Sequence, residues 1–293
     1  MTIKNLPERA TRLRAVGLVT AVSKIGFAFS ILAVSQNTSS FAGVNLSPHR
    51  AIYELKLKEA RKRSGIKDLS GRMAIEITGS NCEGWSVNFR MVNDFTLSRG
   101  RQRLVDSRST SWEAGDGEKM SFYEHEFIDN RAQPSTRLKA STKNHNVSQT
   151  LPKKLEFKIP EQAIFPVSHQ KRLIEKARNG NLRDKSVVYD GADHDNIYQA
   201  ITFIGKKHVD EHKSRNLKGN GEDALLKGTV YWPVTVSYYS MKGKKQLDTP
   251  SQQIGFSMYD NGVAGDLTID YGDFSMNGKL IHLDKLKQSK CDK

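Results

Sequence analysis

Two short clusters place side chains of the right type close enough together for metal or acid–base chemistry. In "YDGADHDN", Asp190, Asp193, His194 and Asp195 offer oxygen and nitrogen donors to a cation. A calcium loop needs a Gly at its sixth place and a Glu at its twelfth, which this stretch lacks. Asp-Gly followed by small polar residues has the composition of a turn between strands, and a turn is predicted. His208 and His212 stand four apart in "HVDEH", which on a helix would put both rings on one face. A zinc protease carries Glu directly after the first His, and Val209 occupies that place, so this pair is read as part of a solvated loop.

Nucleophilic catalysis finds no support either. There is no G-x-S-x-G, no S-x-x-K with the companion motifs of penicillin-binding enzymes, and no glycine loop to cradle phosphates. His49, His125, His169 and His282 stand apart from one another in sequence and are read as packed or solvated. The reading is therefore no catalytic residue, no metal and no cofactor, although a glycosidase-type carboxylate pair would leave no local motif.

The remaining reactive residues are two cysteines, Cys82 in "EITGSNCEGWSVNFR" and Cys291. They are too far apart for a C-x-x-C redox or zinc motif, so their role depends on the compartment they meet. Met1 to Arg14 is basic, Ala15 to Val34 is apolar apart from Lys24, and Ser40-Phe41-Ala42 has the small residues that a signal peptidase reads. Residues 1–42 are expected to be a cleaved signal peptide, leaving a mature domain of residues 43–293. An uncleaved anchor has the right length, but Lys24 near its middle would cost ~2.5–3.5 kcal/mol at the bilayer centre. In an oxidising compartment the two cysteines pair. A bridge closing a loop of about 210 residues stabilises by up to ~5 kcal/mol in the chain-entropy picture.

The formal net charge is +14; loss of residues 1–42 removes five basic residues and one acid and leaves the mature chain at +10. A basic exported protein meets anionic lipid headgroups, lipopolysaccharide or acidic protein surfaces, and nucleic acid is set aside as a partner. Within "KEARKRSGIK", Arg61, Lys62 and Arg63 form the candidate partner-contact loop. Scattered Lys and Arg also serve plain solubility.

Period-two alternation dominates the elements that must position these residues. Tyr53, Leu55 and Leu57, then Met73, Ile75 and Ile77, then Trp85, Val87, Phe89 and Met91 each line one side of a strand. Cys82 falls at the turn before the third of these. Gly115-Asp116-Gly117 and Asn261-Gly262 supply hairpin turns, and further strands are predicted at "VVYD", "NIYQAITFIG", "WPVTVSYYS" and "GKLIHLDKL". One helix is predicted, from Pro166 and Ser168 to the stop at Asn179-Gly180. Lys206 to Gly228 is polar and without clear period, and is expected to be a long loop or a mobile hairpin tip. The sum is one all-β, mainly antiparallel domain of ten or more strands with one helix packed on it.

Several stretches together resemble the EipB family of cell envelope integrity proteins, exported proteins of Gram-negative bacteria. They include "LSPHRAIYELKL", "SGIKDLSGRMAIEITGSNCEGWSVNFR", "FPVSHQKRLIEKARNG", "VVYDGADHDNIYQAITFIG" and "FSMYDNGVAGDLTIDYGDFSMNGKL". The resemblance implies a periplasmic domain whose strands wind into an open, spiral or barrel-like sheet, with the family's paired cysteines at Cys82 and Cys291. It further implies support of envelope integrity and a periplasmic tetratricopeptide-repeat protein as partner, with no catalytic residues. Two function classes follow. One is a monomeric, non-catalytic module that docks such a partner, its basic residues meeting an acidic groove. The other is a carrier that holds a lipid or lipoprotein acyl chain in an apolar β-cavity.

Overall fold

The computed structural model describes residues 43–192, 197–211, 215–241, 249–289 and 291, so the signal-peptide reading lies outside the described residues. The first strands are β1 (His49–Ala60), β2 (Ile66–Ser80), β3 (Gly84–Leu97), β4 (Gln102–Glu113) and β5 (Lys119–Ile128). Shorter ones follow: β6 (Arg131–Ala132), β7 (Thr136–Ser141), β8 (Asn146–Leu151), β9 (Leu155–Lys158) and β10 (Ala163–Ile164). After the helix α1 (Pro166–Arg178) come β11 (Arg183–Tyr189), β12 (Ile197–Ile204), β13 (His208–Val209) and β14 (Val230–Ser240). The chain finishes with β15 (Gln252–Tyr259), β16 (Ala264–Asp270) and β17 (Phe274–Lys285).

Successive hairpins pair neighbours in sequence from β1 to β5 and on through β7, β8 and β9. The second half does the same from β11 through β12, β14, β15 and β16 to β17. The halves join because β1 pairs with β17 on its other edge, His49 opposite Lys285. All these pairings are antiparallel; β10 adds to β11 in parallel.

The sheet does not close. No ladder joins β9 to β10 among the described residues; instead the two ends overlap. Val187 and Tyr189 of β11 pack in one cluster with Met120 and Phe122 of β5, Leu138 and Ala140 of β7, and Val147 of β8. On its opposite face β11 places Val188 in the cluster that holds α1. One end of the sheet is therefore wound inside the other. The winding explains why "VVY" is apolar on successive residues where a one-sided strand would alternate.

Helix α1 fills the interior. It starts with Pro166 at its first turn, where a missing N–H costs nothing, and ends where Gly180 takes a left-handed φ of 73°. Val167, Leu173, Ile174 and Ala177 pack against Ile77 and Trp85 on one side and Ala200, Trp232 and Val234 on the other. Val167, Leu173 and Ile174 each contribute roughly 1.5–3 kcal/mol of apolar burial. Pro233 sits inside β14 without breaking it because β12 has ended beside it: Ile204 pairs with Val234, and only the Gly205 N–H reaches the Pro233 carbonyl, at 2.7 Å.

The segment Lys206–Gly228 departs from the expected mobile tip. His208 lies in the short strand β13 against Tyr231, and residues 212–214 lie outside the described residues. Further on, the π-helical turn Glu222–Leu226 drives Leu225 and Leu226 into the core, 2% and 1% exposed. The segment is tied down on both sides. The Lys218 amide donates to the Ile281 carbonyl and its own carbonyl accepts from the Leu283 amide, at 3.0 and 2.9 Å; the Asn261 side chain donates to the Leu225 carbonyl at 2.7 Å. Two adjacent leucines in an otherwise polar run supply enough apolar area to fold it back as a plug.

Candidate docking surfaces

Cys82, in the β2–β3 turn, is bonded to Cys291, with Cα atoms 5.8 Å apart. Residues 286–289 run back along the start of the chain toward it: the Leu286 amide donates to the Pro48 carbonyl at 2.9 Å, and Gln288 donates to the Asn45 side chain at 3.1 Å. At the same corner the Asn81 side chain donates to the Val44 carbonyl and accepts from the Trp85 indole. Gly115 is pressed against the Asn81 backbone so closely that a Cβ there would overlap the Asn81 carbonyl.

Next to this corner lies a buried arrangement that resembles a catalytic pair. Glu113, at the end of β4, accepts from the Val167 and Ser168 amides at 2.9 and 2.8 Å and from the Ser168 hydroxyl. Burial pushes its carboxyl up from 4.5 to about 7, against the lowering effect of Ser168, the two amides and Lys171. A carboxylate near neutrality beside a hydroxyl is general-base chemistry in outline. Here, however, both residues are buried, and both carboxylate oxygens accept from the first amides of α1. Phe165 precedes that helix and offers no side-chain cap, so Glu113 satisfies the orphan amides from another element. At the next residue, burial holds the His169 imidazole down at about 4.

Among the described residues no group of three His, Cys, Asp or Glu could hold an ion, and most of the two sequence clusters lies outside those residues. The Asp190 carboxylate accepts from the Ala192 amide at 3.0 Å, as a turn requires, while Asp193, His194 and Asp195 lie outside the described residues. His208 is exposed and stacks on Tyr231 with centroids 5.3 Å apart, and His212 lies outside. His282, read as unpartnered, is 2.7 Å from the Asp284 carboxylate. His49 is buried, with Nδ1 2.7 Å from the Ser47 carbonyl.

Two kinds of surface remain. A groove of 890 Å³ crosses the outer side of β12, β14, β15, β16 and β17. Its wall includes Leu182 and Phe203, 62% and 51% exposed, with Pro233 beside them, and the Arg183 guanidinium lies 5.6 Å from the Phe203 ring centre. By contrast the two hollows bordered by Pro166 of α1 measure 210 and 200 Å³, one on the side of Ile75, Ile77 and Val87, the other on the side of Tyr198, Tyr238 and Ile254. The predicted basic loop is exposed: Arg61, Lys62 and Arg63 stand on the β1–β2 turn, with Arg63 paired to Asp273 at 3.0 Å.

These features define a coiled, barrel-like β-domain that is clasped by one disulfide and turns its apolar groove outward. The EipB-like family model matches residues 40–287, and the chain belongs to that family. It is 36% identical over 248 residues to the cell envelope integrity protein EipB of Brucella abortus (strain 2308), covering 84% of this chain and 86% of the relative. A crystal structure of a beta-barrel-like protein of domain of unknown function DUF1849 from Brucella abortus superposes with a TM-score of 0.75. It is 32% identical and matches over 83% of this chain and 100% of that one.

The groove and Glu113 escaped sequence reading. Leu182 and Phe203 belong to different elements and carry no joint pattern. Glu113 left one usable signal, a helix whose first turn is preceded by Phe rather than by Ser, Thr, Asp or Asn.

Proposed function

We propose that the protein supports cell envelope integrity as a binding module and not as a catalyst, acting in the periplasm after loss of residues 1–42. The observation that carries the reading is the outer groove with Leu182, Phe203 and Pro233 at its wall. Large apolar side chains that could have been covered stand in water at a concave site, which is how hot spots of protein interfaces are built. A periplasmic tetratricopeptide-repeat protein is the partner proposed, engaged by a single copy of this domain. The name of the Brucella relative supports the envelope role.

Capture from envelope extract tests it. Wild-type protein is expected to retain a helical-repeat protein identified by mass spectrometry, and the double variant Leu182→Ser with Phe203→Ser to lose it while keeping its melting temperature. Deletion of the gene is expected to sensitise cells to detergent. Turnover of peptidoglycan or lipid by the purified protein would overturn the reading.

The second reading, carriage of an acyl chain, draws on the apolar hollow between α1 and Ile75, Ile77 and Val87. That hollow, at 210 Å³, is smaller than the ~300–1,000 Å³ of ordinary ligand sites, which favours docking. Lipid that co-purifies stoichiometrically in native mass spectra would reverse that preference.

A further inference from the structure

The end of the sheet opposite the disulfide carries a concentration of one sign of charge. Residues 61–67 and 97–103, the β1–β2 and β3–β4 turns with their flanks, contain four and three Lys or Arg and no acid. All seven are exposed. The turns are fixed to one another and to the β16–β17 turn: the Ser98 amide donates to the Gly65 carbonyl at 2.7 Å, and the Arg61 amide to the Asp273 carbonyl at 2.9 Å. Asp273 pairs with Arg63, and Asp129 lies 4.0 Å from Arg103. Arg61, Lys62, Lys67, Arg99 and Arg101 have no carboxylate partner among the described residues. Of the nearby acids, Asp68 and Asp270 accept from the Leu69 and Gly272 amides at 2.8 and 2.7 Å, while Glu59 and Asp94 stand exposed further along β1 and β3.

Two further features shape this rim. Arg99 and Gly100 are both left-handed, φ 65° and 71°, an uncommon conformation for Arg that marks a turn held in place by its surroundings. Beneath the cations lie half-buried Leu97, Tyr271 and Phe274, the last two stacked with centroids 5.1 Å apart. None of the large exposed apolar side chains of the described residues, Trp112, Leu151, Leu182, Phe203 and Val209, is here. A protein hot spot needs such an anchor. Delocalised cations over an amphipathic aromatic sill suit instead a phosphate-bearing lipid surface, where each Lys or Arg adds to the attraction independently.

We propose that this rim lands on an anionic lipid leaflet. The inference assumes, with the proposed function, that the protein works in the envelope, but it uses a different surface from the apolar groove, so both can be engaged at once.

Vesicle co-sedimentation tests it with the purified mature domain. Phosphatidylcholine vesicles containing phosphatidylglycerol are expected to bind it, and pure phosphatidylcholine vesicles not. The double reversal Arg99→Glu with Arg101→Glu should weaken binding about tenfold or more, with an unchanged circular dichroism spectrum and melting temperature. Lys153→Glu with Lys154→Glu, on the β8–β9 turn, is expected to change it less than about twofold. Binding should vanish as salt shortens the screening length from about 10 Å at 0.1 M to about 3 Å at 1 M. Equal binding to neutral vesicles, or retention by the Arg99/Arg101 variant, would overturn the proposal. So would competition by soluble glycerol phosphate at the vesicle's own phosphate concentration, which marks a free-anion site, or loss of partner-protein capture alone, which marks an acidic protein. The Leu182/Phe203 variant should still bind vesicles, which separates failure of this inference from failure of the groove.

Discussion

Where β2 turns into β3 and β14 begins, the coiled sheet is held together by contacts that reach far along the chain: the Cys82–Cys291 bridge, the Glu113 clasp on α1, and the Leu225/Leu226 plug under Leu283. At the other end the strands are joined by short turns whose side chains point cations into water. Cross-linking at one end leaves the other free of structural duties, so its surface can be given over to charge. A net charge that would strain a compact core is tolerable where it stands in high dielectric.

The comparison can be broken first at the bridge. Cys82→Ser and Cys291→Ser are each expected to lower stability by up to about 5 kcal/mol, and the double variant by no more than either, by chemical denaturation without reductant. A larger loss in the double variant would mean that the thiols stabilise separately. Leu225→Ala is next, expected to cost roughly 2–5 kcal/mol through a cavity in the plug; a loss under 1 kcal/mol would return the segment to the status of a surface loop.

A sharper test uses pH. Glu113 has its folded pKa raised from 4.5 to about 7, so it binds a proton more tightly in the folded state. Its linkage lowers stability as pH rises from about 4.5 to 7. His169 has its folded pKa lowered from 6.5 to about 4, so its linkage raises stability as pH rises from about 4 to 6.5. Each is worth about 3 kcal/mol by the linkage relation, and between pH 4.5 and 6.5 they oppose one another. In Glu113→Gln, stability is expected to climb with pH across this window relative to wild type; in His169→Phe it should fall. Parallel slopes for the two variants would dismiss the pairing. The smallest effect belongs to the rim: Arg61→Glu with Arg63→Glu should change stability by less than about 0.5 kcal/mol per site, measured by thermal melts.

Much of this frame was legible beforehand. Alternation in "YELKL", "RMAIEI" and "WSVNFRM" put Tyr53, Ile77 and Trp85 on the inner side, and the Gly-containing turns lay where hairpins form. The strands from Arg131 to Ile164 went unseen because Lys139, Ser148 and Glu156 dilute short strands below the level at which period two stands out. The winding of the sheet escaped because it depends on which faces meet, not on which residues alternate, and only the two-sided burial of Val187, Val188 and Tyr189 betrays it. The disulfide was readable from residue type and the oxidising compartment that the N-terminal sequence leads one to expect. Glu113 was not, because its partners lie 54 and 55 positions away and its inward neighbours on β4 are serines.

The pairing of β1 with β17 has a kinetic side. A chain that emerges N-terminus first exposes one edge of β1 for the whole time the remaining strands are being delivered, since the strand that covers it comes last. The hairpins from β1 to β9 can form early from local contacts, but the ladder that unites the halves carries nearly the largest sequence separation available, and such contacts form slowly. Until they do, a row of unpaired amides and carbonyls is open to other chains. Folding of this protein therefore ends where it begins, and a holding chaperone on the nascent β1 edge is expected to raise its yield more than any catalyst of hairpin formation.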